Sequence, residues 1–134
     1  MLAVMSVSVP WPTVALRVTT TALAALAIAQ AALAGSFLSG HYDALTLHRV
    51  TGMALASVAV VQVVFAFLAR RAGGPRRFLG PALVLVAVVA AQGILGAYRV
   101  FGLHVPIGVL LTIGILRLAA EAWQAPRLPA EVSS

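Results

Sequence analysis

The amino-acid sequence predicts an all-α protein, a four-helix transmembrane bundle made of two tandem helical hairpins. Hydrophobic residues make up 62% of the 134 residues and charged residues only 9%. The mean hydropathy is +1.06, so the composition is far from that of a soluble domain. The apolar residues form four segments, each near the roughly 20 residues with which a helix crosses a lipid bilayer. They use nearly the whole chain, which predicts a single membrane domain over residues 1–134.

Each predicted helix corresponds to one apolar run with a turn signal or polar residues at its boundary. The predicted helices cover about residues 18–38, 48–69, 78–97 and 104–120. The arginine-rich stretch 70–77 separates the second from the third, and its glycines and proline favour a turn. The other two connections are short, so consecutive helices are expected to be antiparallel neighbours.

The first apolar segment could alternatively be interpreted as a cleaved signal peptide. Ala32-Leu33-Ala34 imitates the small-residue pattern of a cleavage site. The run is, however, longer than the apolar region of a normal signal peptide, and cleavage would remove one member of the internal repeat described below. We therefore predict a retained transmembrane helix.

The charged residues predict the orientation in the membrane. The chain contains nine arginines and no lysine, with a formal net charge of +6. Most lie beside apolar runs, a pattern typical of topology signals and not of a nucleic-acid surface. Seven share one side: Arg17, Arg70, Arg71, Arg76, Arg77, Arg117 and Arg127. The positive-inside rule places that side and both termini in the cytoplasm of a bacterial inner membrane.

Both hairpins contain the same set of polar residues and glycines. Each has a glutamine in its first helix and a His-x3-Gly motif at the start of its second helix. These residues are Gln30, His48 and Gly52 in the first hairpin and Gln92, His104 and Gly108 in the second. Because both hairpins run in the same direction, the repeat predicts a pseudo-two-fold axis along the membrane normal.

The repeat predicts a haem site near the outer face. His48 and His104 begin helices at the same face, so they are expected to lie at equal depth and to face each other. Gly52 and Gly108, one turn deeper on the same helix faces, would clear space beneath each imidazole. Haem iron accepts imidazole on both axial sides, and the absence of cysteine excludes thiolate ligands and covalent haem attachment. We therefore predict one b-type haem with these two histidines as iron ligands.

Other residues are predicted to support this site. Arg49 and Arg99 lie at the same end and are expected to pair with the haem propionates. Gln30 and Gln92 need partners in hydrocarbon, and the sequence leaves interhelical packing and support of the histidines equally open as their role. The candidate walls beneath the histidines are Leu55, Ala59 and Leu111.

Several of these residues also have a purely structural explanation. A histidine at a membrane interface can serve as an amphipathic anchor alone, and this is the interpretation we prefer for His41 in its polar loop. Small residues spaced along a helix, such as Gly93, Gly96 and Gly114, serve helix packing without any ligand. Gln62 is expected to be structural.

The strings LHRVTG, QGILG and LHVPIG, with the arginine-rich turn after the first, resemble one four-helix half of the heme A synthase family. The resemblance implies that His48 and His104 are haem ligands, because the second and fourth helices of each half carry them in that family. The family's catalytic glutamate, three residues before the first histidine, is replaced by Leu45, so catalysis of that type is not expected. The chain also resembles uncharacterised small bacterial four-helix membrane proteins with a similar His-Arg entry, which implies only the fold.

Two functions therefore follow from the sequence. The first is a haem protein for electron transfer or haem handling, and the second is a cofactor-free accessory subunit of a larger membrane complex. A solute or ion carrier is disfavoured because the midplane lacks buried charges and broken helices. The expected partners are the lipid bilayer and haem, with a homodimer or a larger membrane complex left open.

The predicted orientation can be measured by cysteine labelling. Ser39→Cys and Gly74→Cys should react with a membrane-impermeant maleimide from opposite sides of the membrane, because the positive-inside rule places position 74 in the cytoplasm. Labelling of both positions from outside intact cells would contradict this topology.

Overall fold

The computed structural model describes residues 10–124, which form four α-helices and no strand. The helices are α1 (Trp11–Leu38), α2 (Ala44–Arg71), α3 (Leu79–Ala97) and α4 (Phe101–Trp123). A 3₁₀ turn, Arg76–Phe78, precedes α3. The predicted all-α class is confirmed, and the prediction for Arg127 falls outside the described residues.

Three helices begin earlier than the apolar runs predict. The first begins at residue 11 and not 18, the second at 44 and not 48, and the fourth at 101 and not 104. Hydropathy marks the part of a helix that lies in hydrocarbon, whereas the helix itself continues until the backbone turns. The early start of α1 follows from Pro12, since proline is favoured in a first helical turn. Packing then holds this turn, because Thr13 and Leu16 are buried.

All four helices are long and apolar enough to cross a membrane. The 28 residues of α1 and of α2 correspond to about 42 Å of helix, more than a hydrocarbon core of about 30 Å requires. Large apolar side chains such as Ile28, Val84 and Leu110 are exposed on the outside of the bundle. This protein is therefore a multi-pass membrane protein whose apolar exterior faces lipid.

The four helices pack in a square. α1 contacts α2 and α4, and α3 contacts the same two helices, so α2 and α4 lie diagonally opposite each other. We call the end with connections 39–43 and 98–100 the histidine end, and the end with connection 72–75 the arginine end. The two hairpins meet through α1 with α4 and through α2 with α3, as the predicted pseudo-two-fold axis requires.

The first three helices end in the same backbone turn, the Schellman motif. In each, one residue just after the helix has a left-handed conformation: Gly40 (φ +97°), Gly73 (φ +79°) and Arg99 (φ +58°). The next amide bonds back to a helix carbonyl: His41 to Ser36 at 3.1 Å, Gly74 to Ala69 at 2.8 Å and Val100 to Leu95 at 2.9 Å. Glycine takes this conformation freely, whereas Arg99 adopts it at a cost of about 1 kcal/mol.

The hydrophobic core fills the centre of the bundle and its arginine end. The central cluster consists of Leu23, Ala27, Leu55, Ala59, Leu85, Val89 and Ile115. The cluster at the arginine end consists of Leu16, Ala66, Phe78, Ala82, Leu118 and Ala122. Beyond the central cluster, the only buried apolar residue that the structure describes at the histidine end is Ala44. The histidine end therefore lacks a closed apolar core.

Polar contacts at the arginine end join α1 to α4. Arg17 donates from Nε to the carbonyl of Ala122 at 2.9 Å, and the Trp123 indole N–H donates to the Thr21 hydroxyl at 2.9 Å. The Arg17 guanidinium also lies over the Trp123 ring, 5.5 Å from its centroid. These contacts fasten the first helix to the last and close the square.

Gln62 is the most deeply buried polar residue near this end. It is fully buried, and its Oε1 accepts a hydrogen bond from the Thr19 hydroxyl on α1. It therefore links α1 to α2, in agreement with the structural role predicted for it.

Two glycines near the arginine end are expected to respond differently to substitution by alanine. A Cβ added at Gly74 would lie 2.8 Å from the backbone oxygen of Ala69, whereas one added at Gly80 would have no neighbour within 4 Å. We expect Gly74→Ala to lower the free energy of unfolding by about 1–3 kcal/mol, because a backbone atom must move. Gly80→Ala should leave it unchanged or raise it slightly, because alanine favours the helix. Unfolding by SDS in mixed micelles measures the free energy of unfolding of both variants. Equal free energies would contradict the close contact between position 74 and the Ala69 carbonyl.

The same contact makes position 74 a poor site for a labelling cysteine. Ala72 is exposed in the same connection, so Ala72→Cys is the better partner for Ser39→Cys in the topology measurement.

Candidate functional site

The two predicted histidines face each other at the histidine end. His48 lies in the second turn of α2 and His104 in the first turn of α4, on the two diagonally opposed helices. Their ring centroids are 6.3 Å apart, with an angle of 68° between the ring planes. His41 is exposed in the connection between α1 and α2. The structure therefore brings together the pair that the repeat singled out.

Each histidine is held by the glutamine of its own hairpin through a reciprocal pair of contacts. Gln30 donates from Nε2 to the His48 carbonyl at 2.8 Å, and His48 Nδ1 lies 3.2 Å from the Gln30 carbonyl. Gln92 donates from Nε2 to the His104 carbonyl at 2.9 Å, and His104 Nδ1 lies 3.1 Å from the Gln92 carbonyl. The sequence repeat is thus also a repeat of hydrogen bonds.

These contacts determine which ring nitrogen carries the proton. A backbone carbonyl can only accept a hydrogen bond, so Nδ1 is the donor in both His48 and His104. In a neutral imidazole Nε2 then keeps its lone pair, and neither Nε2 bonds to a residue in the range 10–124. An Nδ1–H directed at a carbonyl, with Nε2 free, is the arrangement of metal-binding histidines.

The side chain and the main chain of each glutamine have different roles. The amide group bridges two helices, and Gln30 also donates to the Thr51 hydroxyl, which sequence reasoning missed. The main-chain carbonyl orients the imidazole. Gln92 is buried, and its Oε1 has no partner among the described residues, so the second hairpin keeps one unused acceptor beside the site.

The glycines of the repeat make room first of all for the glutamines. A Cβ added at Gly52 would lie 3.5 Å from the Gln30 amide oxygen, and one added at Gly108 would lie 2.9 Å from Gln92 Nε2. The space that the sequence assigned to a flat ligand therefore has a glutamine amide as its nearest occupant. Clearance for haem beyond those amides stays a prediction.

Gly96 is a site residue that sequence reasoning assigned only to helix packing. A Cβ there would lie 3.2 Å from Cε1 of the His104 ring, so the glycine lets the imidazole approach α3. The available signal was its position one turn after Gln92 on the same helix face.

The remaining predicted residues lie around this pair. Arg49 and Arg99 are exposed at the histidine end, where neither side chain bonds to a residue that the structure describes. Leu55 and Ala59 are buried in the central cluster, and Leu111 packs against it. These three apolar residues form the layer beneath the histidines.

Two opposed imidazoles supply as many ligands as a haem iron can take from a protein, and fewer than a bare metal ion usually takes. Among residues 10–124, no group of three or more His, Cys, Asp or Glu side chains could hold a metal, whereas a bare zinc ion takes about four ligands. Haem iron needs from the protein only its axial ligands, and imidazole is a common one. If both Nε2 atoms point at one iron, with metal–nitrogen bonds of about 2 Å, the ring centroids are about 6 Å apart. The separation between His48 and His104 is 6.3 Å.

Comparison with protein-family models, with curated proteins and with solved structures gave no match. The resemblance to the heme A synthase family therefore rests on the sequence motifs alone, and the arguments for a function rest on the geometry of this site.

The two repeat glycines are expected to differ in their tolerance of alanine. Gly108→Ala should displace the Gln92 amide and lower the free energy of unfolding by about 1 kcal/mol, the usual value of one hydrogen bond. Gly52→Ala leaves its glutamine at an ordinary contact distance and should not be destabilising. SDS unfolding of both variants measures the difference, and the reverse order would contradict the geometry.

Leucine at the same positions tests the predicted clearance for a ligand. Gly52→Leu and Gly108→Leu should lower haem occupancy while the helices still insert in the membrane. If both variants bind haem fully, the glycines serve only the packing of helices and glutamines.

Proposed function

We propose that this protein binds one b-type haem at its histidine end, through His48 and His104, for electron transfer or haem handling. The observation that carries the proposal is the pair of opposed imidazoles, 6.3 Å apart, with each Nδ1 directed at a backbone carbonyl. This arrangement leaves both Nε2 atoms without a partner among the described residues, and the ring separation is close to the value of about 6 Å expected for two imidazoles on one iron.

The protein would hold the cofactor with few residues. His48 and His104 would bind the haem iron through their imidazole nitrogens, and the hydrogen bond from Nδ1 to a carbonyl would increase the basicity of each ligand and fix its ring orientation. Arg49 and Arg99 are placed to donate charge-assisted hydrogen bonds to the propionates. When bound, a b-type haem supplies one-electron redox chemistry.

The glutamine bridges contribute preorganisation. Because Gln30 joins α1 to α2 and Gln92 joins α3 to α4 beside each histidine, the imidazoles are fixed before a ligand enters. The site is therefore expected to need little rearrangement on binding, which favours affinity because less conformational entropy is lost.

The proposal includes a location and an orientation. The chain is assigned to the bacterial cytoplasmic membrane, with the arginine end and both termini in the cytoplasm and the histidine end on the outer side. The arginine excess at one end of the bundle supports this orientation. Haem would then face the outer compartment.

The second candidate function is a cofactor-free accessory subunit of a larger membrane complex or a homodimer. Gly93 and Ala97, four residues apart on α3, are exposed, and a Cβ added at Gly93 would meet nothing within 4 Å. Small residues at this spacing are typical of helix–helix contacts in membranes. Protein that is colourless when expressed with ample haem would favour this second function.

The absorption spectrum of the detergent-purified protein tests the haem proposal. Wild-type protein should have the spectrum of a low-spin bis-imidazole haem. His48→Ala or His104→Ala should abolish that spectrum or convert it to a high-spin form, because each variant removes one axial ligand. His41→Ala is the matched control and should leave the spectrum nearly unchanged, since this histidine is exposed in a connection.

The opposite pattern, with His41 essential and His104 dispensable, would keep haem binding but exclude the paired site. Wild-type protein without haem, after expression with ample haem supply, would exclude the proposal and favour the accessory subunit.

A further inference from the structure

A second candidate site lies in the other half of the bundle, away from the histidines. It is a groove of about 460 Å³ between α3 and α4. Its lining includes Pro81, Val84 and Val88 of α3 and Leu110, Gly114 and Arg117 of α4. Val84 and Leu110 are exposed, so the groove opens toward lipid.

The groove exists because the second hairpin is packed less closely than the first. The contact between α3 and α4 is less extensive than the contact between α1 and α2. Gly114 lies in the gap, and a Cβ added there would meet nothing within 4 Å. The lining residues of α4 run from Ile107 to Glu121, about 21 Å along the helix, which suits an extended hydrocarbon chain.

Arg117 places one charge at this apolar groove. It is exposed on α4, about 9 Å of helix before Trp123, and therefore within a predicted membrane span. Within residues 10–124 its guanidinium has no hydrogen-bond or ion-pair partner, although Glu121 lies one turn further along the same helix. An arginine inside a membrane span is unfavourable unless it pairs or reaches the headgroup region, so an anionic partner at this position would be stabilising.

Further positive charge lies at the same end. Arg77 precedes α3 and donates from Nη2 to the Glu121 carbonyl at 3.3 Å, which brings its guanidinium near the end of the groove. The carboxylate of Glu121 is the single acidic group in the lining. The groove is thus apolar along its length, and two guanidinium groups lie toward its arginine end.

We propose that this groove binds an anionic phospholipid from the leaflet at the arginine end. One acyl chain lies between α3 and α4 along Val84, Val88 and Leu110, and the phosphate pairs with Arg117. A guanidinium binds phosphate oxygens through two parallel hydrogen bonds, and basic pockets between transmembrane helices are known to select acidic headgroups. The inference does not depend on haem binding, because it uses neither the two histidines nor the glutamines that hold them.

Native mass spectrometry of the full chain in detergent tests the proposal with two lipids of identical acyl chains. Phosphatidylglycerol should be retained as an adduct, and phosphatidylcholine should be retained about tenfold less. Arg117→Gln should reduce phosphatidylglycerol binding about tenfold, because a charge-assisted hydrogen bond is lost. Arg71→Gln removes an exposed arginine from the same end, outside the groove, and should have no effect.

A second pair of variants tests the acyl-chain position. Gly114→Leu fills open space in the groove and should reduce binding of phosphatidylglycerol at least as much as Arg117→Gln. Gly93→Leu adds the same side chain to α3 in open space outside the groove and is the matched control. SDS unfolding identifies any variant that has lost its fold.

Three results would overturn the proposal. They are equal retention of the two lipids, unchanged phosphatidylglycerol binding in folded Arg117→Gln, and unchanged binding in folded Gly114→Leu. A neutral isoprenoid quinone could also displace the phospholipid. If it does so with equal affinity for wild type and Arg117→Gln, the groove binds a neutral amphiphile, and the proposal of an anionic phospholipid is excluded.

Discussion

The interior of a lipid bilayer offers no hydrogen-bond partners, and the rest of this structure depends on that constraint. The backbone satisfies it by forming helices, and each of the three described turns closes in a Schellman motif that uses up helix-terminal carbonyls. Several polar side chains satisfy it by bonding between neighbouring helices, whereas Gln62 Nε2 and Gln92 Oε1 are buried without a partner among the described residues. Gln30 and Gln92 bond to α2 and α4, and Thr19 bonds to Gln62. These polar residues therefore reinforce the pairing of helices that the short connections already make neighbours.

The glutamine contacts hold the helices together and also orient the two histidines. In each hairpin the glutamine carbonyl takes the Nδ1 proton, so the pairing that stabilises the helices also leaves both Nε2 atoms available to a metal. The closed apolar core ends one layer below, at Leu55 and its neighbours. Above this core the two imidazoles face each other with their ring centroids 6.3 Å apart. This is the physical basis of the haem proposal.

The two hairpins reach the same site geometry by different lengths of chain. Glutamine and histidine are 18 residues apart in the first hairpin and 12 in the second, because the first has a longer helix end and a longer connection. All three turns contain a left-handed residue, and in the shorter connection this residue is Arg99 where the other turns have glycine. The exposed Arg99 guanidinium lies at the histidine end. The more open packing of the second hairpin leaves the groove between α3 and α4. Pseudo-symmetry thus holds at the histidines and is lost toward the arginine end.

The sequence by itself determined the four helices, their antiparallel order and the placement of His48 and His104 at one end of the bundle, because these follow from local properties: apolar length, turn residues and the helical period. It did not determine the early start of α1, which depends on packing around Thr13, or the contact of His104 with Gly96. It also did not reveal that glutamine amides occupy the space beside Gly52 and Gly108, or that the space beside Gly108 is tighter than the space beside Gly52. Those features depend on the rotation and separation of helices, which side chains from distant segments set together when they pack.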